Sequence, residues 1–122
     1  MFQKFFTEIE KHGFDVDAWR ELVSLFPPNY LAFLEGEDVE LTIRVFSSSH
    51  DFSSEDQNIL RLQIQLYGLL RYDEAEFAEA ISNDFGMTGE NATLLASAII
   101  QSLGSDFRNA RITLGTQFGA LE

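Results

Sequence analysis

Leu60-Arg61-Leu62-Gln63-Ile64-Gln65-Leu66-Tyr67 decides the reading of the fold, because apolar and polar side chains alternate through it almost without a break. A two-residue period puts Leu60, Leu62, Ile64 and Leu66 on one face of a strand and Arg61, Gln63, Gln65 and Tyr67 on the other. Val39, Leu41, Ile43 and Val45 alternate in the same way with Glu40, Thr42, Arg44 and Phe46, and the β-branched residues there suit a pleated, half-buried surface. A weaker third run sets Ile112, Leu114, Thr116 and Phe118 against Arg111, Thr113, Gly115 and Gln117. Together the three runs favour an α+β domain with a small antiparallel sheet, its strands near 39–46, 60–67 and 111–118. The middle run also has a helical reading. Ser54 and Gln57 have the spacing of a capping box, and Leu, Gln and Arg are good helix formers. On that alternative the chain is an all-α helical bundle.

Working outward, the flanks read as helices. Phe2, Phe5, Phe6 and Ile9 recur at helical spacing, and His12-Gly13 supplies a stop. Asp15 or Asp17 caps a second helix carrying Trp19, Leu22, Val23 and Phe26, which Pro27-Pro28 ends by removing two backbone donors. A third short helix runs from Asn29 to Leu34 and stops at Gly36. The polar connection from Ser47 to Asn58 is long for a hairpin and is the expected mobile segment. Further on, Asp73 and Glu76 form a capping-box pair for a helix burying Phe77 and Ile81, with Gly86 as its stop. Thr88 caps the next helix, whose inward face holds Ala92, Leu95, Ala96, Ile99, Ile100 and Leu103. Its small, weakly polar outer residues predict the most buried helix of the protein.

The 122 residues form one expected domain, spanning 1–122, and 45% apolar content with twelve Phe suffices for a single core. There is no Cys, which excludes disulfides, thiolate zinc sites and a cysteine nucleophile. The opening Met1-Phe2-Gln3-Lys4-Phe5-Phe6-Thr7-Glu8 meets a carboxylate before any long apolar stretch, unlike a secretory signal or a membrane span, so a cytoplasmic protein is expected.

Twenty Asp and Glu against eight Lys and Arg give a formal charge of −12. The acids cluster from Glu35 to Glu40 and from Asp73 to Glu90. Such a surface repels nucleic-acid phosphates and anionic lipid and attracts basic protein surfaces. Neither nucleic acid nor membrane is therefore an expected partner.

Chemistry is mostly excluded. His12 and His50 are the only imidazoles, no Gly-x-Ser-x-Gly elbow is present, and the eight Gly form neither a Walker sequence nor a dinucleotide fingerprint. His50, Asp51, Glu55 and Asp56 share one polar stretch, but a calcium loop counted from Asp51 needs Gly and Glu where Asp56 and Leu62 stand. Many acids occur, yet no pair is singled out for glycosidase chemistry. No metal, cofactor or catalytic residue is expected, and the chain reads as non-enzymatic.

The sheet reading predicts an asymmetry: acidic helices on one side and, on the other, a face holding Thr42, Arg44, Arg61, Gln63, Gln65, Arg111, Thr113 and Gln117. The expected function is an acidic protein-binding domain, an inhibitor, immunity-type neutraliser or adaptor that engages a basic surface on another protein. Its candidate contact residues are Asp73, Glu74, Glu76 and Glu79 on the acidic side and Arg44, Arg61, Tyr67 and Arg111 on the sheet side. The alternative is a structural or homo-oligomerising module, pairing through an exposed sheet edge, whose acidity serves solubility. A carboxylate- or metal-dependent enzyme is a lesser alternative.

Overall fold

The computed structural model describes residues 2–119 and resolves the ambiguity of the middle run in favour of the bundle. Among the described residues there are eight helices and no strand: α1 (Gln3–Lys11), α2 (Val16–Val23), α3 (Pro28–Leu34), α4 (Glu37–His50), α5 (Ser54–Gly68), α6 (Glu74–Phe85), α7 (Gly89–Leu103) and α8 (Ser105–Gly119). The α+β expectation is thereby corrected. Segment 39–46 lies inside α4, 60–67 inside α5 and 111–118 inside α8.

The physical reason is the position of α5. Helices α1, α3, α4 and α6 all pack against it, so from Leu62 to Leu69 every residue is buried, Gln63 and Gln65 included. A helix enclosed on all sides has no wet face, and its sequence need not show a 3.6-residue stripe. The alternation therefore carries no face information here.

Local chemistry starts the helices where hydrogen-bond donors need partners. Asp15 caps α2 by accepting from the amides of Asp17 and Ala18 at 3.1 and 3.2 Å, and Pro28 opens α3, where its missing N–H costs nothing. The capping box of α5 is one residue earlier than the sequence spacing suggests. Ser53 accepts from the Asp56 amide at 3.1 Å and Asp56 accepts in return from the Ser53 amide at 3.1 Å. The expected mobile connection shrinks accordingly, since Ser47–His50 finishes α4 and Ser54–Asn58 opens α5. Gly86 closes α6 in the left-handed conformation, at φ 62°, and Thr88 caps α7 by accepting from the Asn91 amide at 3.2 Å. It is α5, not α7, that is the most deeply enclosed helix.

One continuous core joins the helices. Near its centre α3 and α5 approach closely at Gly68, where a Cβ would stand 2.5 Å from Leu34 Cδ2. There the Tyr30 hydroxyl donates to the Gly68 carbonyl at 2.6 Å, and burial pushes the Tyr30 pKa well above its ordinary value.

Candidate interaction surface

The residues that a sheet would have gathered on one face point in different directions. Successive residues of a helix turn by 100°, so Arg61 and Gln65 share one side of α5 while Gln63 faces the other. Arg61 makes a two-pronged ion pair with Glu40 of α4, at 2.5 and 2.8 Å, and also donates to Asn58 at 2.8 Å. The hydrogen bond from Arg61 holds the Glu40 carboxyl below the usual range, against the opposing effect of burial, and raises the arginine in turn. Gln65 donates to the Leu34 carbonyl at 3.2 Å, and Gln63 donates to the Asp84 carboxylate of α6.

Arg111 belongs to the interior as well. From α8 its guanidinium lies 3.9 Å from the centre of the Tyr67 ring and donates to the carbonyls of Tyr67, at 2.8 Å, and Tyr72. It thereby gives the Tyr67 carbonyl, which also accepts from the Leu70 amide, a second donor, and ties the Tyr72 carbonyl beyond α5 to α8. Tyr67, expected beside Gln63 and Gln65 on an open face, is 2% exposed and stacks on Phe77. Of the four sheet-side candidates, Arg44, Arg61, Tyr67 and Arg111, Arg44 alone is exposed. The Arg-containing face does not exist, and the predicted asymmetry dissolves with the sheet.

On the acidic side all four candidates are exposed on or beside α6, but most have local partners. Asp73 accepts from the Glu76 amide at 2.8 Å, and Glu76 accepts from the Asp73 amide at 3.0 Å. Both therefore hold the start of α6. Glu74 pairs with Arg108 of α8 at 3.0 Å, while Glu79 borders, with Glu74, a trough between α6 and α7 lined by Ala75, Ala78 and Ala96.

A different surface stands out once the helices are in place. Helices α4 and α7 lie side by side with Thr42 and Ser102 hydroxyls 3.1 Å apart. The outer side of α4 exposes Leu41 and Val45, at 54% and 55%, and α7 exposes Leu94 at 64%. Beside Leu94 runs a groove of about 470 Å³ between the two helices, lined by Phe46, His50, Met87, Asn91, Leu95 and Ala98. No residue from Asn91 to Ser105 is charged, and from Leu41 to His50 Arg44 is the sole Lys, Arg, Asp or Glu.

Sequence reasoning missed this surface. The strand pattern assigned Leu41 and Val45 to a buried face, whereas α4 buries Val39, Thr42, Ile43 and Ser47 at helical spacing. Two signals were available: Leu94 falls outside the apolar stripe of its helix, and the charge-free run is visible in the sequence.

The His50 Nδ1 lies 2.9 Å from the Phe46 carbonyl, so that nitrogen carries the proton and donates. It therefore cannot serve as a base for the neighbouring Ser49 hydroxyl at 3.2 Å. Among the described residues no group of three or more His, Asp or Glu is placed to hold a metal, and no helix is long and apolar enough to cross a membrane. In comparisons with known proteins, the chain matches no family model, no curated protein and no solved structure. Function therefore rests on the surface itself.

Proposed function

We propose that the chain is a non-enzymatic, self-associating helical module of the cytoplasm, in which the α4/α7 face pairs between copies and the carboxylates elsewhere keep the assembly soluble. The observation that carries this reading is the coincidence of exposed Leu41, Val45 and Leu94 with two segments without acids, 41–50 and 91–105. Two copies at −12 each repel one another over roughly 8–10 Å in ordinary salt. Contact is least opposed where that charge is absent. The face also carries both a ridge and a groove, as a two-fold interface needs, so the Leu41–Val45 ridge of one copy seats against Leu94 and the groove of the other. The sheet-edge pairing expected from the sequence has no counterpart in a bundle, and packing of helix faces replaces it.

Magnitudes make the association weak. Each of the three side chains is already about half buried, so finishing its burial gains roughly 1–1.5 kcal/mol, or roughly 6–9 kcal/mol across a two-fold pair. Association costs about 4–15 kcal/mol. The assembly should therefore depend on concentration.

Solution mass measured by light scattering tests this. The wild-type chain should move from 13.8 kDa toward twice that mass as concentration rises, and more readily at high salt, which screens the repulsion. Val45→Asp combined with Leu94→Asp should stay monomeric with unchanged helicity. A wild-type chain that remained monomeric at its highest soluble concentration in both salts would overturn the reading.

A further inference from the structure

A larger groove lies elsewhere, between α3 and α8, with a volume of about 800 Å³. Its floor is aromatic. Tyr30, Phe33 and Phe107 stack nearly parallel, with Tyr30 and Phe33 6.0 and 5.3 Å from Phe107 and interplanar angles of 14° and 20°. Leu114 extends the floor along α8. The hydroxyl of Tyr30 is taken up by the Gly68 carbonyl, so the ring and not the hydroxyl is what this residue offers.

Shape and charge narrow the occupant. The lining follows α8 from Phe107 to Gln117, about 15 Å or three helical turns. That length suits a rod better than a compact small molecule. No Lys, Arg or His lines the groove, whereas Asp38 and Asp106 both do. Each sits in the first turn of its helix, so both occupy the end of the groove where α4 and α8 begin, and among the described residues neither is ion-paired. A second copy of this chain would bring further carboxylates to that rim. A base would relieve it.

We propose that the α3/α8 groove binds a short amphipathic helix of a partner protein, with apolar side chains against Pro27, Phe33 and Ala110, above the buried Tyr30, Phe107 and Leu114, and a Lys or Arg held at the Asp38–Asp106 end. Recognition is then polar at one end and apolar along the length, which fixes the direction of the bound helix. This inference stands apart from self-association, because it uses a different surface.

The probe is a fluorescein-labelled helical peptide, three to four turns long, with Leu along one face and two Lys in one terminal turn. Its binding is read by anisotropy. Ala110→Trp fills the groove and should abolish binding, and Thr113→Trp, at an exposed position on the same wall, should do the same where Ala110→Trp disturbs the fold. Asp38→Asn with Asp106→Asn should weaken binding about tenfold at low salt, the loss expected of two exposed ion pairs. Glu79→Asn with Glu90→Asn removes the same charge elsewhere and should leave affinity within twofold, and Val45→Asp with Leu94→Asp should also leave it unchanged. Equal losses from the two charge-removing pairs, or undiminished binding to a correctly folded Trp variant, would overturn the proposal. So would equal binding of a peptide in which Ser replaces the Leu face.

Discussion

Helix α5 and the outer face of α4 and α7 are inverse cases of one rule. In α5 the polar residues Gln63 and Gln65 are buried and Arg61 is partly so, while on the α4/α7 face the apolar residues Leu41, Val45 and Leu94 are exposed. These three side chains reach partners on three different helices: Arg61 on α4, Gln65 on α3 and Gln63 on α6. Those bonds offset much of the burial cost, a buried polar group left unpaired costing about 1–3 kcal/mol, although Gln63 Oε1 has no partner among the described residues. The apolar residues of α4 and α7 have no comparable requirement, and they become informative because they collect where charge is missing. Polarity alone therefore does not assign inside and outside; the number of surrounding helices does.

The comparison breaks most severely at the centre of α5. Ile64→Ala, at a fully buried position, should cost about 2–5 kcal/mol in urea unfolding. Leu94→Ala should stay within about 0.5 kcal/mol for the monomer while weakening self-association. Near-equal costs for the two would show that the environments are not opposite after all. A smaller effect is expected at Gly68→Ala. The new methyl would press on Leu34, itself fully buried, and the overpacking should exceed the gain in helix propensity, leaving a net loss of about 1–2 kcal/mol. A thermal melt that rose instead would mean that α3 shifts readily away from α5.

The smallest effect concerns the ion pair between Glu40 and Arg61. Its carboxyl pKa is lowered in the folded state, so the pair contributes stability above the ordinary glutamate range, and this contribution is lost as pH falls through the lower folded value. Glu40→Gln should cost under about 1 kcal/mol at neutral pH, the carboxylate side chain being 39% exposed. At about pH 3 the difference from wild type should narrow. Urea midpoints at both pH values would show it, and a gap that widened on acidification would contradict the assigned direction.

The legible parts of the fold are those set by neighbours along the chain. Asp15, Asp73 with Glu76, Thr88 and Gly86 mark helix ends where the structure has them, whereas α2 stops at Val23, short of the Pro27-Pro28 pair read as its end. The inward stripe of α7 is equally readable, and Ala92, Leu95, Ala96, Ile99, Ile100 and Leu103 are all buried. Glu79 lies on an exposed face as read, while Asp73 and Glu76 serve the capping box that was also read there. Arg61, Tyr67 and Arg111 were misplaced together, because one assumption about the period of α5 and α8 moved them onto a shared face.

By itself, the sequence determined the caps at Asp15, Asp73 and Thr88, the stop at Gly86, the excess of acid and the charge-free stretch from Asn91 to Ser105. These depend on composition or on hydrogen bonds reaching three or four residues along the chain. Only the tertiary structure decided that 60–67 is helical, that Arg111 closes the end of α5, and that Leu41 and Val45 remain outside. Those outcomes depend on how many helices surround a segment, which comes from packing partners distant in sequence and leaves no periodic trace where every side is covered.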